Sequence, residues 1–278
     1  EDGSLTAPDN QPLGKRVLVL GGGNVAIDCA RSAVRLGCEV HLACLEARED
    51  MPAHQWEIDG AEEEGVHIHP GRTFERILGD NQDRVSGVEC MRVASFHFDE
   101  TGTLHIEKVP DSKHILSCDT VIFSVGQRAG LAFIPDDAGV GLTDKNTIAV
   151  NPNTFATSRP GVFAAGDSVS GTAFVIEAVA NGHKSANSII RYLQGKPLEP
   201  LPEPELPVVH MTQGEIDQRV ASGEIKRQKR IPLPELPVEQ RTHSFSEVER
   251  GYDEKRAMEE AARCLACGIC SECWSCVF

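Results

Sequence analysis

The chain has 278 residues, long enough for one large domain or two ordinary ones with ample core. Its composition, 40% hydrophobic and 25% charged, is that of a soluble globular protein, and no apolar run is long enough to span a bilayer. A net charge of −15 speaks against nucleic acid as a partner, because phosphates favour basic surfaces.

The polar, acidic opening over residues 1–13 reads as a connector, with no signal peptide in it. Cys29, Cys38, Cys44, Cys90 and Cys118 are scattered through periodic segments and read as small core residues. Nothing suggests export, so the compartment is expected to be reducing and cytoplasmic, and the cysteines crowded at the other end point to metal rather than disulfides.

Residues 14–126 read as a Rossmann-like NAD(P)-binding domain. Val17 to Leu20 form a short apolar run, the mark of a buried strand. Apolar residues then recur with helical spacing through Val25, Ala26, Cys29, Ala33 and Leu36, Gly37 ends the helix, and "CEVHLACL" supplies a second strand. Gly21, Gly23 and Ala26 fit G-x-G-x-x-G/A between strand and helix. In that motif the first glycine permits the tight turn and the second lets pyrophosphate approach the backbone. The phosphate then sits on the helix N-terminus. The loop Gly21, Gly22, Gly23, Asn24, Val25 is therefore the expected dinucleotide contact. Glu46, at the end of the second strand, stands about 20 residues on, where a carboxylate binds ribose hydroxyls. It would repel a 2′-phosphate and so favours NAD(H) over NADP(H), with Arg48 two residues on as a counterweight.

"MPAHQWEIDGAEEEGVHIHP" predicts an amphipathic helix ending at Gly65 and a third strand from Val66. His67 and His69 alternate along that strand and read as surface histidines. "RVSGVECMRVASFHFDETGTLHIEKV" alternates and turns at Asp99–Gly102, the pattern of an antiparallel hairpin. "CDTVIFSVGQ" returns as an apolar strand ending at Gly126. The expected fold class is α/β, a Rossmann-like parallel sheet with a β-hairpin (ββα) layer.

In chain order, "RVLVLGGGNVAIDCARSAVRLGCEV", "MPA…EIDGAEEEGV", "TVIFSVGQ" and "GVFAAGDSVSG" resemble the two-dinucleotide-binding-domain (FAD/NAD(P)) flavoproteins. The similarity is greatest to the branch of the glutamate synthase small subunit and its iron–sulfur-linked relatives. The resemblance covers nearly the whole chain. It implies a nicotinamide domain inserted into an FAD-binding domain, with residues 127–195 as the C-terminal half of the latter. It places Gly166 and Asp167 at a strand end, the aspartate bonding to the ribityl or pyrophosphate part of FAD. It also aims the helix from "TAFVIEAVANGHKSANSIIRYL" at the flavin near Val175 and Ile176. One departure stands out: only one glycine fingerprint is present, and it lies in the inserted domain. The chain is accordingly expected to be a C-terminal piece, with the N-terminal half of the flavoprotein, or a partner chain, gripping the FAD adenosine. Residues 15–125 contain no Cys-x-x-Cys, so disulfide reduction of the thioredoxin reductase kind is not expected.

Residues 196–243 form a proline-rich tail of extended, stiff segments, interrupted by a helix with a Thr212/Glu215 capping box that stops near Gly223. Lys226, Arg227, Lys229 and Arg230 read as a solvated basic face. Residues 244–278 are expected to hold one short helix, one longer helix and a cysteine-rich end. There Cys264, Cys267, Cys270, Cys273 and Cys276 recur every third residue. Such triads hold one face of a [4Fe–4S] cube; zinc accepts four thiolates as the alternative.

The preferred reading is an oxidoreductase in which electrons pass from NAD(P)H through FAD to [4Fe–4S] clusters and a ferredoxin-like or other redox subunit. No side-chain acid or base is required. Two alternatives remain open: a non-enzymatic NAD-binding adaptor with a structural zinc knot, and electron delivery of the glutamate synthase kind.

Overall fold

A computed structural model describes residues 13–99, 103–200 and 211–264. The chain divides into two compact units, residues 1–201 and 202–278.

The first unit is built on a parallel sheet of four strands: β1 (Arg16–Leu20), β2 (Glu39–Ala43), β3 (His67–His69) and a strand from late in the unit, Thr120–Phe123. Their order places β3, β2, β1 and then Thr120–Phe123, so β1 has an early strand on one side and a late one on the other. Val17 to Leu20 are wholly buried because both faces of the sheet are covered. One face packs on α1 (Asn24–Arg35) and α2 (Gln55–Glu63), with Val17, Val19, Val40 and Leu42 meeting Ile27, Ala30, Ala33 and Ile58. Each large side chain buried there contributes about 1.5–3 kcal/mol. Val25, grouped by its spacing with the helix core, is instead 62% exposed. It lies in the first turn, before the helix settles on the sheet, and Ile27 and Ala30 take the inward positions.

The other face packs Leu18, Leu20 and Ala43 on Val88, Cys90 and Cys118 of an antiparallel layer. That layer consists of β4 (Arg76–Gly79), β5 (Val85–Cys90) and β8 (His114–Leu116), in the order β4-β5-β8. Between them β6 (Val93–Phe98) and β7 (Leu104–Lys108) form the expected hairpin about Asp99–Thr103, in a sheet of their own. The stretch read as one strand before the turn is thus two. The break falls at Met91–Arg92, whose amides bond the Thr73 and Ser112 hydroxyls instead of a ladder partner. Thr120–Phe123, now β9, completes the parallel sheet.

His67 and His69 are joined by His41 of β2. His41 Nδ1 lies 2.9 Å from His69 Nε2, and the His41 ring stacks on both neighbours. Burial holds the His69 imidazole below its ordinary pKa, with the nearby charges of His41, Arg72, His67 and His114 acting the same way. Among the described residues no group of three or more His, Cys, Asp or Glu is placed to hold a metal.

Beyond Gly126 the unit is held by isolated bridges, Leu142–Ile148, Val150–Thr157 and Ala156–Phe163, followed by α3 (Asp167–Ser170) and the long α4 (Val175–Leu193).

In the second unit α5 (Gln213–Ala221) carries the expected capping box: Thr212 Oγ1 accepts from Glu215 N, and Glu215 Oε2 accepts from Thr212 N at 2.7 Å. The short helix expected after residue 244 is absent, and α6 (Val238–Arg241) falls earlier, behind Pro237. The reason is backbone pairing. Leu236 N donates to Val248 O and Arg250 N to Pro234 O, so residues 248–250 are held extended against the proline-rich stretch. The Tyr252 hydroxyl closes the same contact on Ile231 O. The last helix, α7 (Glu254–Ala261), is capped by the Asp253 side chain. No described helix is long and apolar enough to cross a membrane.

Candidate dinucleotide-binding site

The carboxyl ends of β1, β2 and β9 lie side by side, and the loops leaving them carry the predicted contacts. Gly21 N donates to Ala43 O at 2.8 Å, tying the end of β1 to the end of β2. Ser124 N donates to Leu20 O at 2.8 Å, tying it to β9 on the other side. The glycines differ in their surroundings. Gly21 adopts φ +133°, and a Cβ there would lie 2.3 Å from the Ser124 carbonyl oxygen, so only glycine fits between the strands. Gly23 adopts φ −89° and ψ 174°, open to any residue, and a Cβ there would meet nothing within 4 Å. The space above it is open. Ala26 approaches Gly21 closely, as the third position of the motif requires.

α1 begins with no side-chain cap and no acidic residue in its first turn. Its leading N–H groups and the positive end of its dipole face outward, the arrangement that receives an anion. Asn24, predicted to touch cofactor, spends its side-chain oxygen on His54 N at 2.9 Å. Val25 is exposed beside it. Glu46 turns its carboxylate over the loop, 2.9 Å from where a Cβ on Gly22 would stand, and Gly71 N fixes its carbonyl at 2.7 Å. Beneath it Cys44 is buried, which together with the Glu46 charge pushes its thiol up to about 12.

Arg48 is placed differently. Its guanidinium lies 2.7 Å from Glu62 and 3.4 Å from Asp59, on the outward side of α2. The hydrogen bond to Glu62 raises its pKa, and the group is held by α2 rather than turned to the loop. Gly126 follows β9 with open space around it. The structure thus brings Gly21, Gly22, Gly23, Asn24, Val25, Glu46 and Gly126 to one edge of the sheet, at the point where its strand order reverses. Ligands of open α/β sheets lie at such a switch point.

Residues 3–186 match the family model of the pyridine nucleotide-disulphide oxidoreductases. The chain belongs to this family. It is 35% identical, over 92% of its length, to the beta subunit of the NADPH-Fe(3+) oxidoreductase of Geobacter sulfurreducens, covering 41% of that protein. To the beta subunit of the NADP(+)-dependent formate dehydrogenase of Moorella thermoacetica it is 39% identical, over 91% of this chain and 36% of the relative. The small chain of Escherichia coli glutamate synthase [NADPH] is 37% identical over 65% of this chain and 39% of its own length. The chain therefore spans about two-fifths of the length of the curated relatives it matches. Among solved structures, the thioredoxin reductase of T. acidophilum superposes with a TM-score of 0.51 at 27% identity, covering 66% of this chain and 53% of that one.

Among the described residues of this pyridine nucleotide-disulphide oxidoreductase chain no two cysteines form a disulfide. Cys29, Cys38, Cys44, Cys90 and Cys118 are all unpaired, and burial pushes the Cys90 and Cys118 thiols up to about 11. Gly166 and Asp167 were expected at a strand end. The segment before them pairs only through the Ala156–Phe163 bridge, because Phe163 finds a single ladder partner among the described residues. Asp167 instead opens α3. It lines a cavity of about 660 Å³ with Gln127, Arg128, Phe133 and Phe163, and its carboxylate takes no hydrogen bond from the described residues. α4 begins at Val175 as expected, and Val175 and Ile176 are 81% and 73% exposed. In the second unit Cys264 is exposed just past α7; Cys267, Cys270, Cys273 and Cys276 lie outside the described residues.

Residues 51–54, which the pattern grouped with the helix that follows, are tied to the glycine loop: Ala53 N donates to Gly22 O and His54 N to Asn24 Oδ1. Their signal was present: Met51 and Ala53 flank a proline directly before an amphipathic helix, and both are buried.

Proposed function

We propose that this chain is the nicotinamide-binding part of a flavin- and iron–sulfur-dependent oxidoreductase of the reducing cytoplasm. In the complete enzyme electrons from NAD(P)H would reach FAD, [4Fe–4S] clusters and a partner redox subunit. The observation that carries this reading is the convergence of the glycine loop, the uncapped N-terminus of α1 and Glu46 at the switch point of the parallel sheet. An open space above Gly23 fits a diphosphate, and a carboxylate beside the loop fits a ribose diol. When bound, the nicotinamide supplies a hydride and the flavin converts the pair into single electrons.

The chain's own residues do the positioning. The first N–H groups of α1 hold the diphosphate, Gly21 lets the loop close against β9, and Glu46 accepts from the ribose hydroxyls. Its charge favours NAD(H) over NADP(H), and Arg48, engaged by Glu62 and Asp59, is held back from compensating. Residues 14–126 form the nucleotide domain and 127–195 the C-terminal half of the FAD domain. In the latter, Gly166 and Asp167 would hold the ribityl or pyrophosphate part of FAD, and the positive end of α4, near Val175 and Ile176, would lie toward the flavin. The N-terminal half or a partner chain supplies the rest of that site. The exposed apolar start of α4 supports such a covering. Cys264–Cys267–Cys270 or Cys270–Cys273–Cys276 provides the thiolate triad. Two relatives named as beta subunits of redox enzymes support a redox partner.

Metal analysis separates this reading from the adaptor. After anaerobic reconstitution of the full chain, iron with matching acid-labile sulfide is expected. Zinc alone, or no metal, would contradict the electron-transfer reading and favour the adaptor with its structural knot.

A further inference from the structure

Residues 51–56 lie outside the glycine motif but are built onto it. Met51 and Ala53 are buried in the core between the sheet and the helices. Ala53 N donates to Gly22 O at 3.1 Å, and His54 N donates to Asn24 Oδ1 at 2.9 Å. These four anchors fix the backbone against the loop. The rings that follow are left outside the core: His54 is exposed, Trp56 is 59% exposed, and the two stack nearly parallel, 8° apart, with centroids 5.9 Å from each other. A tryptophan carries a large apolar area whose burial is favourable, and its flat face suits a flat ligand. Here such a ring follows a segment anchored to the glycine loop and is left 59% exposed, with only the His54 ring stacked on it.

We propose that His54 and Trp56 form one wall of the dinucleotide site and pack against the adenosine-diphosphate half of the nicotinamide cofactor. The inference rests on the reading of the glycine loop given above and adds two residues to it. The adenosine half is assigned by topology. Residues 47–54 run from the carboxyl end of β2, where Glu46 stands, back to the glycine loop, whereas β9 and Gly126 lie on the other side of β1. The aromatic pair therefore stands on the β2 side. Aromatic side chains stacked on nucleobases typically account for tenfold or more in affinity.

The test uses the full chain and two ligands, NADH and ADP-ribose, with Trp56→Ala, Trp56→Phe and His54→Ala variants. The chain has two tryptophans, Trp56 and Trp274. In the wild type NADH should quench tryptophan emission and give sensitised nicotinamide emission. Trp56→Phe should lose most of that transfer while keeping affinity within about twofold, since a flat ring remains. Trp56→Ala should weaken NADH and ADP-ribose alike, by about tenfold, and His54→Ala should weaken both in the same direction. Unchanged affinity in Trp56→Ala, with the wild type binding normally, overturns the wall and leaves the glycine-loop reading standing. A loss confined to NADH also overturns it, by moving the pair to the nicotinamide end. A wild type that binds neither ligand removes the reading beneath it and the wall together.

Discussion

Gly21 and Gly23 share one loop and answer to different constraints. The first is demanded by the fold, because the Ser124 carbonyl leaves no room for a Cβ; the second is demanded by nothing inside the protein. That contrast makes Gly23 a clean probe of the ligand. In the proposed site Glu46 is the residue that would discriminate between the two cofactors. At its position a carboxylate accepts from two ribose hydroxyls but repels a 2′-phosphate, while the names of the relatives mention NADPH or NADP(+). Glu46→Ala is therefore expected to weaken NADH by about tenfold, the size of a lost charge-assisted hydrogen bond, and to leave NADPH unchanged or tighter. Competitive titration of the two dinucleotides reads this. A larger loss for NADPH would reverse the assigned preference. Arg48 shows where a sequence reading stops: two residues from Glu46 on paper, it is carried by the turn at Arg48–Asp50 to the carboxylates of α2.

At the level of elements, β1, α1 and β2 were legible because three signals agree there: an unbroken apolar run, glycines at fixed offsets and a helical apolar period. The antiparallel layer was only half legible. Alternation identifies strands but not partners, and the switch of sheets at Met91 depends on hydroxyls of Thr73 and Ser112 that are distant in sequence. The junction of α1 and α2 was not legible at all. Glu64, its carboxylate fully buried, joins Arg31 at 2.6 Å and Arg35 at 3.5 Å, and Glu57 adds a second partner for Arg31. Burial works against the Arg31 charge, and Glu64 and Glu57 outweigh it, so its pKa is raised.

The edge formed by β2 and β3 is expected to make stability depend on pH. His69 titrates below its ordinary value of 6.5 because it is partly buried and faces His41, His67, His114 and Arg72, with Glu39 touching only His41. The unfolded chain therefore binds this proton more readily than the folded one. Stability contributed by the neutral ring is present at pH 7 and above, and is lost as pH falls through 6.5 towards the lower folded value. Melting temperature should drop between pH 7 and about pH 5, and drop less in His69→Gln. Equal slopes in the two proteins would show that the edge does not sense pH through this residue.

For the whole molecule, the dinucleotide unit and the cysteine-bearing unit belong to separate compact parts of the chain. The cysteine spacing is readable without a fold because it is local in sequence, although Cys267, Cys270, Cys273 and Cys276 lie outside the described residues; the proposed wall at His54 and Trp56 is not readable that way, since it depends on a backbone contact with Asn24. In the proposed site a nicotinamide dinucleotide seats on the loop Gly21–Gly23. Calorimetric titration of NADH into the wild type and Gly23→Val tests it most directly. Gly23 has a backbone conformation that valine adopts, and its Cβ position touches nothing, so the variant should melt like the wild type while filling the space the diphosphate needs. Saturable binding of one NADH per wild-type chain is expected, with at least about a hundredfold weaker binding in the variant, the loss that follows when diphosphate and helix N-terminus are kept apart. Equal affinity in the two proteins would contradict this seating.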